Sequence, residues 1–288
     1  MGGKYAAMVF VNVMWGMSYV GSKHALNSGF SPLVLALVRY IIASVVLLLL
    51  VMKREGRLKP RKQDILPIIL SGIMGMTLYH WLEFVGIKHT SAVNTSLILA
   101  AVPIITMIVQ AVVDRRPMRM VQIVGAAMSL IGVGCIITND AGGESSFWGN
   151  VLILGAAVVW VAYIFLSREL RKNYTSLSMN TWQAMVGAVT FIPLAMSDPC
   201  DLTEIPWDGW AVTVVLAVVC SALCYVLYGD ALGDMSPLAS AIFINLGPLA
   251  TMVGGVVLLG ETVTWMTILG GGLIIGSIFL VTAGEERA

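Results

Sequence analysis

The sequence predicts an all-α integral membrane protein, ten transmembrane helices arranged as two inverted five-helix repeats. Three observations carry this: an apolar composition, ten long apolar segments, and a self-match at constant offset whose loops change charge. Hydrophobic residues make up 58% of the 288 and charged residues 11%; soluble domains carry about 25% charged residues. The mean hydropathy is +0.89. So few charges cannot cover a water-facing surface, which excludes a soluble enzyme, a secreted disulfide scaffold and a disordered chain. The net charge of +1 gives no electrostatic case for nucleic acid. Three of the four cysteines (Cys135, Cys200, Cys220, Cys224) fall in apolar runs, so no disulfide framework is expected.

A helix needs about 20 mostly apolar residues to cross the hydrocarbon core. Ten segments qualify: 5–26, 31–52, 65–86, 92–113, 120–138, 149–167, 176–197, 209–229, 236–258 and 265–283. They fill about three quarters of the chain, which leaves short loops and no extramembrane domain. The first lacks a small-residue cleavage site and is too long for a signal sequence, so it reads as a retained helix. With the N-terminus cytoplasmic, fourteen Lys and Arg fall on the inner side and only Lys88 on the outer. The positive-inside rule then sets both termini in the cytoplasm, for a multi-pass protein of the inner (plasma) membrane.

Shifted by 145 positions, the sequence matches itself without a gap. Trp15 falls on Trp160, Ser31 on Ser176, Leu78 on Leu223, Leu82 on Leu227 and Ser91 on Ser236. Pro103-x-x-Thr106-Met107 falls on Pro248-x-x-Thr251-Met252, and Gly125 on Gly270. The expected units are 1–144 and 145–288. Each holds an odd number of spans, so the second must be upside down. The loops agree: 53–64 is strongly basic, whereas 198–209 carries Asp198, Asp201, Glu204 and Asp208 and no basic residue. Two pseudo-symmetric halves that exchange conformations are the construction of many secondary transporters.

The sequence resembles the EamA type of the drug/metabolite transporter superfamily over nearly its whole length. The likeness lies in Trp15-Gly16, Lys23, Arg39-Tyr40, Thr90-Ser91-Ala92 and Pro103, then Asn245-Leu246-Gly247-Pro248, Leu259-Gly260-Glu261, Gly270 and Gly276. The first half departs from the pattern, with Arg115-Arg116 where the second has Gly260-Glu261. The resemblance implies ten helices around a central cavity, alternating access, and export of amino acids or related metabolites.

Transporter sites lie where helices are interrupted at matched positions in the two halves. Pro103 and Pro248 are such a pair, read as mid-helix kinks that free a carbonyl toward the substrate path, the alternative being kinks that only shape packing. Asn12, Trp15 and Tyr19 share one face of the first helix, and Trp160 and Tyr163 form a similar face in the sixth. Aromatics this deep differ from the interfacial belt. They read as opposed walls for an amphipathic substrate, the alternative being helix packing. Tyr79 and His80 are deep polar candidates in the third helix. Glu83, one turn on from Tyr79, reads first as an interfacial carboxylate near the outer surface and second as a site for an amino group or proton. Arg39 reads first as structural, paired with Glu83 or with free carbonyls, and second as a site for a substrate carboxylate. Lys23 and Arg168 read as snorkelling cations. Asn94, Ser240 and Asn245 complete the substrate-binding candidates.

Gly125-x-x-x-Ser129 and Gly272-x-x-x-Gly276 are small-residue faces read as helix packing, with a homodimer as the alternative. Cys220-x-x-x-Cys224 reads as packing rather than metal binding, and no cofactor motif occurs. Asp230-Ala231-Leu232-Gly233-Asp234 only faintly echoes intramembrane aspartyl proteases, which need two aspartates from separate helices. A scaffold role lacks docking loops. The function expected is therefore secondary transport through the lipid bilayer of a small-molecule substrate, amino acids first. The runner-up substrate is a quaternary-amine or drug-like cation.

Overall fold

The structure, a computed structural model, describes residues 2–56, 59–138, 146–232 and 245–286. These residues form helices and no strand. We name the segments α1 (Gly2–Asn27), α2 (Pro32–Glu55), α3 (Lys62–Lys88), α4 (Ala92–Val113) and α5 (Met120–Ile137), then α6 (Phe147–Arg168), α7 (Ser176–Met196), α8 (Trp207–Tyr228, continuing to Leu232), α9 (Leu246–Leu259) and α10 (Trp265–Glu286). Their bounds fall within a few residues of the segments expected from the sequence, except that residues 236–244 of the ninth lie outside the described residues.

Seven of these segments are long and apolar enough to cross a membrane: α2 to α6, α8 and α10. The others fall short for readable reasons. α9 shows 14 described residues. α1 and α7 spend apolar positions on polar side chains that are turned inward, among them Asn12, Ser18 and Ser22 in α1 and Asn180, Thr181 and Gln183 in α7. The outer faces are apolar: Leu49, Val112, Val189, Val253 and Leu258 are all more than half exposed. So much exposed apolar surface suits lipid rather than water.

Local chemistry sets the helix ends. Ser31, Ser91 and Thr175 are N-caps whose hydroxyls accept from Val34, Asn94 and Ser178 backbone N–H groups. The α9 helix ends on Gly260 at φ 68°, a left-handed conformation natural to glycine. At the position matched by the 145-residue shift, Arg115 adopts φ 52°. The Arg-Arg sequence therefore keeps the turn of the Gly-Glu sequence, although a side chain makes that conformation costly.

The packing repeats across the halves. α2 lies antiparallel to α7: Ser31 Oγ donates to the Asp198 carbonyl at one end, and Ser178 Oγ to Glu55 Oε2 at the other. α5 lies antiparallel to α10 at a glycine contact. A Cβ added at Gly132 would fall 2.6 Å from the Gly270 carbonyl oxygen, and one at Gly270 equally close to that of Gly132. Gly125 and Ser129 lie in this internal face, whereas Gly272 meets nothing within 4 Å, so the second small-residue face expected from the sequence is displaced to Gly270. α1 and α9 run parallel, with Thr251 Oγ1 donating to the Gly16 carbonyl at 2.8 Å.

Both α3 and α8 contain a π-helical stretch, Ile73–Leu78 and Leu216–Leu223, at overlapping repeat positions. Such a stretch releases a carbonyl from the regular ladder and often adjoins a functional site. Here the Cys220 carbonyl accepts from Trp15 Nε1 at 3.1 Å, and His80 Nδ1 lies 3.1 Å from the Met76 carbonyl.

Candidate functional site

The elements converge on a cavity of about 860 Å³ between the halves. That is within the range of about 300–1,000 Å³ for pockets that take drug-sized ligands. It runs from Glu83, 3% exposed, to Arg171, an exposed residue after α6. By these exposures we call the Glu83 end closed and the Arg171 end open.

The aromatic faces expected from the sequence meet here. Trp15 packs on Tyr225 and Tyr228 with ring centroids 5.4 and 5.1 Å apart, and Trp160 packs on Tyr79 and Tyr163 at 4.8 and 4.7 Å. Trp15, Trp160, Tyr79 and Tyr225 all line the cavity, as do Asn12 and Tyr19. Tyr163 stands behind Trp160: it is buried, accepts from Arg171 Nη2 at 3.2 Å and donates to Gln183 Oε1 at 3.0 Å. Asn12 Nδ2 donates to the Met8 carbonyl, which fixes the amide within its own helix.

Pro103 and Pro248 also line the cavity, but not as kinks in continuous helices. The α4 helix stops at Leu99, turns through Ala100 and Ala101 and restarts at Val102. Pro103 then occupies the first turn, where a missing N–H costs nothing. Pro248 is likewise the third residue of α9. The N-terminal ends of two helices, Val102–Val113 and Leu246–Leu259, thus border the cavity. Asn94 is buried in the first turn of Ala92–Leu99 and Asn245 just before Leu246, and neither is among the cavity-lining residues. Ser240 lies outside the described residues.

Glu83, expected first near the outer surface, is buried and lines the cavity, with Oε2 3.6 Å from His80 Nε2. Counting residues from the span end placed it near the surface; the fold covers that end with neighbouring helices. His80 is held by Tyr40, whose hydroxyl lies 2.8 Å from Nδ1. Arg39 donates from Nε to Ser221 Oγ at 2.7 Å and lies over the Phe84 ring at 5.6 Å. Its partners are thus a hydroxyl and a ring, and it also lines the cavity.

Several motif residues prove architectural. Lys23 has partners within the protein: Nζ donates to the carbonyls of Ile87 and Thr90, both at 2.8 Å, closing the C-terminal end of α3. Glu261 accepts from the backbone N–H groups of Ala92 at 2.6 Å and Val93 at 3.0 Å, capping α4 from a distant loop. Thr90 Oγ1 donates to Asn150 Oδ1 at 2.6 Å. These contacts lie at the closed end.

The sequence reading left out Tyr225, Tyr228, Cys220, Ser96 and Arg171, all cavity residues. Tyr225 and Tyr228 were findable, since they match His80 and Glu83 under the 145-residue shift. Arg171, in a loop after α6, gave no such signal. Among the described residues no group of His, Cys, Asp and Glu is arranged to hold a metal.

Comparison with known proteins agrees with this architecture. The model of the EamA-like transporter family matches residues 4–138 and again 147–283. A protein of Streptantibioticus cattleyicolor named "Probable terminal-alkyne amino-acid exporter" is 30% identical over 285 residues, covering 98% of this chain and 95% of its own. "Uncharacterized transporter YyaM" of Bacillus subtilis is 28% identical over 256 residues, covering 86% and 84%. A crystal structure of a protein 16% identical shares the fold, with a TM-score of 0.69 over 100% of this chain and 99% of the other. The chain belongs to the EamA-like transporter family, as a multi-pass membrane transporter and not an enzyme.

Proposed function

We propose that the protein is a secondary transporter of small zwitterionic metabolites, amino acids first, working by alternating access in the cell's inner (plasma) membrane. The observation that carries this is the cavity itself, which both halves line with a matched tryptophan and a matched proline at a helix start. All ten segments cross the bilayer in this reading, as units 1–144 and 145–288 of opposite orientation. The antiparallel α5–α10 contact supports the inversion. A two-fold axis that exchanges antiparallel neighbours is perpendicular to both, and so lies in the membrane plane.

With the termini cytoplasmic, the open end of the cavity near Arg171 faces the cytoplasm. A substrate collected there and released outside is exported. The N-terminal ends of Val102–Val113 and Leu246–Leu259 carry the positive ends of their helix dipoles, which favour a substrate carboxylate. Trp15, Trp160 and Tyr225 offer faces for an apolar side chain. The exporter name of one relative points the same way. A drug-like cation is the second reading, favoured by the cavity volume.

The test is flux into proteoliposomes that hold the purified protein. Saturable uptake of labelled amino acids from a panel of all twenty, absent from empty vesicles, is the expected result. Flux of choline with none of the amino acids would replace the first reading with the second.

A further inference from the structure

We infer that the closed end of the cavity is a primary-ammonium site, with Glu83 as the anchor that selects amines able to donate hydrogen bonds. This deepens the transport reading and rests on it for the cavity's role. Glu83 is 3% exposed, lines the cavity, and its Oε2 has no hydrogen-bond partner. A buried carboxylate oxygen left unpaired is costly, and a ligand that donates to it recovers that cost. Nearby groups do not fill the role. His80 Nε2 stands 3.6 Å away, beyond hydrogen-bond range and an ion pair only when the imidazole is protonated, and Arg39, whose charge Glu83 feels, forms its hydrogen bond from Nε to Ser221.

The neighbouring rings suit a cation as well. Tyr79 sits edge-on to His80 at 4.6 Å and against Trp160 at 4.8 Å, so aromatic surface borders the carboxylate. Rings alone accept a quaternary ammonium as readily as a primary one. The carboxylate does not, because a quaternary nitrogen has no N–H and leaves Oε2 unpaired. An anionic ligand meets repulsion from Glu83, and a neutral one brings no charge to it. Specificity thus lies in the donor count of the ligand nitrogen.

The test is binding to the purified full chain, read by tryptophan fluorescence. The probes are phenethylamine, its N,N,N-trimethyl derivative and neutral 3-phenylpropanol. Phenethylamine is expected to bind roughly tenfold or more tightly than the other two. In Glu83→Gln that preference is expected to vanish while 3-phenylpropanol binding stays within about twofold, which also reports a folded cavity. Equal or tighter binding of the trimethyl derivative, a preference that survives Glu83→Gln, or no binding of any probe overturns the inference. If the variant does not fold, the wild-type ranking decides alone. Failure of the amino-acid flux panel with the amine ranking intact removes amino acids as cargo and keeps the ammonium site. Flux without the ranking does the reverse.

Discussion

The two halves share a backbone plan and divide the chemistry unequally. Both have a helix with a π-helical stretch, a deep tryptophan, and a helix that starts just before a proline. Yet the first half brings Arg39, His80 and Glu83 to the cavity, and the matched positions of the second hold Ala184, Tyr225 and Tyr228. In the alternating-access proposal, symmetry of the scaffold would serve the conformational exchange, which asks only that two states be nearly equal in energy. Substrate recognition has no such requirement. A polar ligand with distinct ends is better matched by an asymmetric lining.

The largest effect is expected where the halves agree. Trp15→Ala and Trp160→Ala should each reduce flux by roughly tenfold or more, the result of about 1.4 kcal/mol of lost binding, while the protein stays folded. Retained flux in both would break the idea of opposed walls. The next effect tests the glycine contact. Gly132→Ala and Gly270→Ala should each lower stability by about 1–3 kcal/mol, because the added carbon meets backbone oxygen on the facing helix. A large loss in one and none in the other would show that the contact is not shared. Denaturation in detergent measures both.

Glu261 and Arg116 stand at matched positions with opposite charge. Glu261→Ala should cost about 2 kcal/mol, because it leaves two N–H groups of α4 without their carboxylate. Arg116 is exposed, and Arg116→Ala should stay within about 0.5 kcal/mol. Equal costs would mean that both turns cap a helix. The smallest effect concerns the same turns: Arg115→Gly should stabilise by about 1 kcal/mol by relieving a positive φ. No gain would show that the arginine side chain makes compensating contacts.

Much of this was legible in the chain because its causes are local or periodic. Span lengths follow from the thickness of hydrocarbon, and the 145-residue offset survives as matched residues. The paired prolines pointed to the cavity, although the mechanism differed: a helix restart at Val102 cannot be told from a kink by reading residues alone. The burial of Glu83 does not follow from its place along one helix. Whether a carboxylate is wet depends on what the other helices cover.

The sequence by itself determined the apolar solvent to which this protein is suited and the approximate ends of the helices, since each depends on hydropathy along one strand of chain. Tertiary structure alone decided which polar groups face one cavity and which cap a distant helix. Lys23 at the carbonyls of Ile87 and Thr90, Glu261 at the N–H groups of Ala92 and Val93, and Glu83 beside His80 are contacts whose geometry arises only in packing. A charge in an apolar chain announces that it needs a partner. Which partner it finds is set by the helices that meet it.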